Sequence, residues 1–191
     1  MRVCVFCGSS PGTRPGYRAA AEKVGQTFAE RGIELVYGGA SAGTMGVLAD
    51  ATLAAGGRVT GVIPRALVER EIAHSGLSDL RVVADLHERK ATMASLADAF
   101  LVLPGGAGTL EELFEVFTWA QLGLHRKPIA LLDVDGYYQP MLRFLDHMAA
   151  EGFLRSEYRE MLIVDTDVVG VLDRYATHEA PREKWSSQHT E

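Results

Sequence analysis

FLVLPGGAGTLEE, running from Phe100 to Glu112, passes from an unbroken apolar stretch through a proline and three glycines into a run that opens with two glutamates. A short apolar run without alternation is what a strand covered on both faces shows. The proline and glycines end it sharply. Apolar residues then recur at helical spacing from Leu110 onward. Strand, tight turn and helix together form the repeating unit of an α/β sheet.

The same pattern extends in both directions. Strands are expected at Val3–Phe6, Glu34–Tyr37, Val59–Ile63, Arg81–Ala84, Phe100–Leu103, Ile129–Leu132 and Leu162–Val164. Helices are expected at Tyr17–Arg31, Thr44–Ala55, His87–Ala97, Gly108–Leu124, Tyr138–Glu151 and Val168–Ala176. The alternation predicts a doubly wound parallel sheet, Rossmann-like and three-layered, in a single domain over residues 1–177. The polar stretch 178–191 reads as a frayed tail. In such sheets ligands bind outside the carboxyl ends of the strands. Three strands run into small-residue loops, at Cys7–Gly12, Tyr37–Gly46 and Pro104–Thr109. Parallel strands would gather all three on one rim.

Composition narrows the function classes. At 191 residues the chain is long enough for one sizeable core. A net charge of −6 disfavours non-specific binding to nucleic acid or to an anionic membrane. No apolar run approaches the ~20 residues that span a bilayer. MRVCVFCGSS reads as a strand and loop rather than a secretory leader, so a cytoplasmic location is expected. The two cysteines, Cys4 and Cys7, have redox-motif spacing. Such thiol pairs sit at helix starts. These fall along a strand, where positions three apart point to opposite faces.

The Pro104–Thr109 loop has the chemistry of an anion cradle. A helix N-terminus presents unpaired amides and about half a positive charge. Gly105, Gly106 and Gly108 let a ligand approach that backbone, and Thr109 adds a hydroxyl. Neither the Walker spacing nor the dinucleotide fingerprint is present. A single phosphate, as in a nucleoside monophosphate, is therefore the economical ligand. Carboxylates in a first helical turn are favourable by roughly 0.3–1 kcal/mol, which accounts for Glu111, Glu112 and Glu115 without any ligand. Glu112 would compete with a phosphate for the same amides unless it faced another part of the ligand, such as a ribose. Upstream, His87-Glu88-Arg89-Lys90 opens a helix and offers a guanidinium and an ammonium. His87-Glu88 is not a zinc motif, because position 91 is alanine, and no metal is expected.

Together these residues resemble the LOG ("lonely guy") family of cytokinin riboside 5′-monophosphate phosphoribohydrolases, often labelled lysine-decarboxylase-like. The family motif P-G-G-x-G-T-x-x-E matches Pro104 to Glu112 at every fixed position. A companion motif, M-H-x-R-K-x-x-M, matches Leu86 to Met93 with leucine in place of the first methionine. CGSS near the start, the YGG loop and FTWAQLGLHRKPIALLDVDGYY extend the resemblance over about Arg2 to Ala176. The family often has tyrosine where Ala107 stands.

The resemblance implies hydrolysis of the N-glycosidic bond of cytokinin riboside 5′-monophosphates, and of AMP, without a cofactor and by a homodimer. It implies Arg89 and Glu112 as the catalytic pair. Glu71, Lys90, Gly105, Gly106, Ala107, Gly108, Thr109, Leu110 and Glu111 become substrate contacts. Ser9, Gly39 and Thr118 are further candidates for phosphate or base contacts. Two alternatives stand beside it: a carrier of a phosphorylated ligand, like molybdenum-cofactor carriers, or a broader nucleotide nucleosidase. The lysine decarboxylase label would require pyridoxal phosphate and a Schiff-base lysine. Lys23, Lys90, Lys127 and Lys184 are the only candidates, and none lies in a cofactor motif. On the helix after the loop, Leu110, Leu113, Phe114, Phe117 and Leu124 form an expected core stripe. Val116, Trp119 and Ala120 form an expected second apolar face for a partner chain.

Overall fold

The computed structural model describes residues 1–70 and 72–181. Seven strands, β1 (Arg2–Phe6), β2 (Glu34–Tyr37), β3 (Val59–Pro64), β4 (Asp79–Val83), β5 (Ala99–Val102), β6 (Ile129–Leu132) and β7 (Leu162–Asp165), form one sheet. The helices are α1 (Pro15–Glu30), α2 (Gly43–Ala54), α3 (Arg65–Val68), α4 (Leu86–Leu96), α5 (Ala107–Gln121), α6 (Gln139–Ala150), α7 (Ser156–Glu160) and α8 (Val168–Tyr175). Strand order is β4-β3-β2-β1-β5-β6-β7, with every pairing parallel. The chain starts at the centre, works outward to β4, returns beside β1 as β5, and works outward again. This is the doubly wound sheet expected from the alternation.

Strand periodicity divides the core in two. Val3, Val5 and Cys7 face the layer of α1, α2 and α8. Cys4 and Phe6 face the layer of α4, α5, α6 and α7. The two cysteines therefore point to opposite faces, and both are buried. Burial pushes the Cys7 thiol up to about 12, so neither spacing nor acidity makes this a redox pair.

Every expected strand and helix is present, with ends shifted by at most three residues and with Glu34–Tyr37 and Ile129–Leu132 unshifted. The short helices α3 and α7 and a 3₁₀ turn at Val134–Gly136 were not expected. None is long enough to show a helical period. On α5 the outcome differs from the expected stripe. The helix stops at Gln121, where Gly123 takes a left-handed φ of 76° and Leu124 donates back to the Trp119 carbonyl. Leu124 is consequently exposed. Val116, expected on the second face, is in the core with Leu113 and Phe117, while Leu110 and Phe114 are only half-buried. Thr109 and Glu112 complete the buried face, which turns it away from the expected stripe. Of the expected tail, residues 182–191 lie outside the described residues.

Helices α1 and α2 touch at Gly25. A Cβ there would lie 2.7 Å from the Leu48 carbonyl oxygen and 2.9 Å from the Thr52 nitrogen. Alanine would gain about 1 kcal/mol of helix propensity, but backbone atoms cannot move aside as a side chain would, so overpacking of about 1–3 kcal/mol wins. Gly25→Ala is predicted to destabilise the protein by about 1 kcal/mol, measured by urea unfolding.

Candidate active site

The loops after β1, β2 and β5 meet at the carboxyl rim. They interlock through backbone contacts that only glycine permits. The Thr44 amide and hydroxyl both donate to the Gly8 carbonyl, at 3.1 and 3.0 Å. Gly43, at φ 58°, lies so close that a Cβ would come within 2.3 Å of the Ser9 carbonyl carbon. Gly105 abuts the Thr109 hydroxyl, where a Cβ would lie at 2.1 Å. The glycines of the rim thus serve loop packing as well as any ligand.

Between the loops is a cleft of about 400 Å³, within the range of small-molecule sites. One wall is the start of α5, from Gly106 to Thr109. Gly106, at the N-cap, supplies no capping side chain. The first-turn amides are therefore left for another acceptor. Met45, Leu67, Ile72 and Met93 give the cleft an apolar lining. Leu67 and Ile72 come from the connection between β3 and β4, which folds over the rim. There Ser41 donates to the Ile72 carbonyl and His74 to the Gly39 carbonyl.

Arg89 and Glu112 face each other in this cleft. Their nearest atoms, Arg89 Nη1 and Glu112 Oε1, are 3.4 Å apart. Arg89 reaches across the sheet end: Nε donates to the Val62 carbonyl at 3.1 Å and Nη2 to the Gly38 carbonyl at 3.4 Å. A Cβ on Gly38 would lie 1.9 Å from Nη2, so the guanidinium occupies the space a side chain would fill. Glu112 is only 9% exposed. Burial raises its carboxyl to about 7, and the attraction of Arg89 pulls it back only in part.

Glu88 and Lys90 of the same cluster have other partners. Glu88 belongs to the start of α4. Its carboxylate accepts from the Ala84 amide at 2.7 Å, and its own amide donates to Asp85 at 2.9 Å. Lys90 is paired with Glu111 and, at 3.1 Å, with Glu115. The Glu111 hydrogen bond holds the ammonium above its ordinary value. Consecutive residues of α4 thus grip consecutive residues of α5: Arg89 with Glu112, and Lys90 with Glu111. Lys90 and Glu111 tie the helices together and do not line the cleft.

The structure brings Arg89, Glu112, Ser9, Gly106, Ala107, Gly108 and Thr109 into one cleft. Gly105 lines an adjoining chamber. Gly39, at φ 76°, turns the loop after β2 and packs against Val62 and Ile63. Leu110 is half-buried among the apolar side chains of α5. Thr118 is exposed, roughly 16 Å along α5 from its first residue. Glu71 lies outside the described residues. Of the apolar residues lining the cleft, Leu67 and Ile72 had no sequence signal, because they reach the site through a connection with no period of its own.

A family model described as "Possible lysine decarboxylase" matches residues 45–175. A cytokinin riboside 5′-monophosphate phosphoribohydrolase of Arabidopsis thaliana is 53% identical over 162 residues, covering 85% of this chain and 75% of that protein. A second, from Oryza sativa subsp. japonica, is 51% identical over 162 residues, covering 85% and 67%. Among solved structures, a molybdenum-cofactor carrier protein from Chlamydomonas reinhardtii superposes with a TM-score of 0.69. It is 20% identical and covers 92% of this chain and 95% of its own. That likeness shows the fold alone.

The residues do not fit the pyridoxal phosphate that a decarboxylase would need. A Schiff-base lysine must lose its proton to attack. Lys90 is locked by two carboxylates, which favours its charged form. Lys127 donates to the Ala94 carbonyl at the opposite end of the sheet, and Lys23 is on the exposed side of α1. Lys184 lies outside the described residues. Among the described residues no cluster of three His, Cys, Asp or Glu side chains is arranged to hold a metal, and no helix is long and apolar enough to cross a membrane.

The raised Glu112 carboxyl carries a stability consequence. The folded state holds this proton more tightly than the unfolded chain, so stability is full below about pH 4.5 and falls as pH rises through about 7. The loss is about 3 kcal/mol at pH 8. Glu112→Gln, which mimics the protonated acid, is predicted to melt above the parent protein at pH 8. The gap should close on titration to pH 4.5, measured by thermal denaturation across that range.

Proposed function

The chain belongs to the LOG family of cytokinin riboside 5′-monophosphate phosphoribohydrolases, and from that premise we propose that it hydrolyses such substrates, and AMP, to an adenine-type base and ribose 5-phosphate. The observation that carries the reading is the Arg89–Glu112 pair, set in a cleft whose other wall is an uncapped helix start. Phosphate rests on the Gly106–Thr109 amides and the Thr109 hydroxyl, a position favoured by the helix dipole. The ribose then lies toward Glu112, and the base lies against Met45, Leu67, Ile72 and Met93.

Breaking the ribosyl C–N bond develops positive charge on the sugar, as in glycoside hydrolysis. An ionised Glu112 stabilises that charge and takes a proton from the attacking water. The hydroxyl joins the ribose carbon, the C–N electron pair leaves with the base, and the base is protonated from solvent as Glu112 returns its proton there. Arg89 favours the ionised form and keeps it aimed. Its guanidinium is already fixed by two backbone carbonyls, so it needs no reordering when substrate arrives. A simple carrier of a phosphorylated ligand would have no use for a carboxylate poised near neutrality, which is why hydrolysis is preferred over carriage. The nucleotide substrate makes the cytoplasm the proposed location.

Loss of the Glu112 charge is predicted to cut turnover of AMP and of isopentenyladenosine monophosphate by about 10²-fold or more in Glu112→Gln, followed by chromatography of the released base. Arg89→Ala should fall by a comparable factor, and the parent protein should show an acid limb in kcat/KM near pH 7. Near-parental turnover by the Gln variant would remove Glu112 from the chemistry.

A homodimer is part of the same proposal. Leu110, Phe114 and Trp119 of α5 are half-covered, and Leu86 at the start of the neighbouring α4 is exposed. A second copy would bury this apolar surface. Light scattering at micromolar concentration should report twice the chain mass of 20.7 kDa, and a monomer alone would count against it.

A further inference from the structure

Two spaces meet at the Gly105–Gly106 peptide. On one side is the cleft holding Arg89 and Glu112. On the other is a chamber of about 260 Å³ lined by Ser10, Tyr17, Thr44 and Tyr137, with Ser9 and Gly106 common to both. Tyr137 enters this chamber from the turn after β6, and its hydroxyl donates to the Gly105 carbonyl at 2.5 Å. The next residue, Tyr138, donates to the Leu103 carbonyl at 2.6 Å. Asp133 anchors the residues that follow Tyr137. Its carboxylate accepts from the Tyr138 amide at 2.7 Å and from the Gln139 side chain at 2.6 Å. The Tyr137 ring is set edge-on against Tyr17 and Tyr138, with centroids 5.7 and 5.0 Å away.

We infer that Tyr137 is a positioning residue for the anion loop: by holding the Gly105 carbonyl on the chamber side, it turns the Gly106 N–H toward the cleft. The inference rests on the reading of that cleft as a phosphate site. A trans peptide is planar and carries its C=O and N–H on opposite sides. No cis peptide occurs among the described residues. Fixing the oxygen therefore fixes the direction of the amide. Glycines on both sides of this bond leave it little resistance to rotation. An unanchored peptide would be free to turn its carbonyl, a partial negative charge, toward the phosphate. Tyr138 has a different role, since the Leu103–Pro104 bond has no N–H to orient. It is buried, and its bond satisfies a buried carbonyl. Tyr137 is 38% exposed. Water can replace its hydroxyl at the Gly105 carbonyl, so the bond matters for direction more than for folding.

The test uses the full chain and two ligands that differ in phosphate. Binding of ribose 5-phosphate and of adenosine is measured by calorimetry for the parent protein, Tyr137→Phe and Tyr138→Phe. Tyr137→Phe should weaken ribose 5-phosphate binding about fivefold and raise KM for AMP similarly, with kcat and adenosine affinity moving less. Tyr138→Phe should lower the melting temperature without this phosphate-selective loss. Unchanged ribose 5-phosphate affinity in Tyr137→Phe overturns the inference, as does an equal loss toward adenosine. If the parent protein itself fails to bind ribose 5-phosphate, the phosphate reading of the cleft falls, and the inference falls with it. If it binds but releases no base from AMP, hydrolysis alone falls, and the binding comparison still decides the role of Tyr137.

Discussion

The parallel pairing of β5 beside β1 is the constraint on which the site depends. Val3 to Phe6 align with Ala99 to Val102 after more than ninety residues of intervening chain. That pairing is where the winding of the sheet reverses, and a crevice opens where strand connections leave in opposite directions. It sets the loop after β1 against the loop after β5, with Gly8 touching Gly105. Without it the α5 start would be an ordinary helix end with unpaired amides facing water.

A second constraint is electrostatic. Burying Glu112 without a partner would force it to stay protonated, and full pairing with Arg89 would leave it an ordinary ionised carboxylate. The balance of burial against Arg89 raises its carboxyl to about 7. That balance depends on geometry set elsewhere: carbonyls at the ends of β2 and β3 hold the guanidinium, and Lys90 with Glu111 and Glu115 fixes the spacing of α4 from α5. A carboxylate shifted in this way by burial and a charged partner is a pattern common to functional sites.

The label attached to the wider family and the chemistry of this cleft point in different directions. A decarboxylase of the pyridoxal type needs a lysine able to shed its proton in a site that holds the cofactor. Here the lysine nearest the cleft is kept protonated by two glutamates. The close phosphoribohydrolase relatives accord with what the residues can do. The carriers that share the fold show how little the sheet by itself decides about chemistry.

Sequence by itself determined the alternation of strand and helix, the parallel sheet, the gathering of glycine loops on one rim and the placing of a carboxylate directly after one of those loops. These are local matters of period and turn chemistry, written into stretches such as Phe100–Glu112. Tertiary structure decided the rest. Nothing in His87-Glu88-Arg89-Lys90 distinguishes its four residues by period. Packing assigns Glu88 to the helix cap, Lys90 to a tie between helices, and only Arg89 to the cleft. The same holds for Leu67, Ile72 and Tyr137, which reach the rim from connections far apart in the chain. Their roles follow from where folded segments meet, because a side chain's partner across a cleft is a long-range fact that no local pattern encodes.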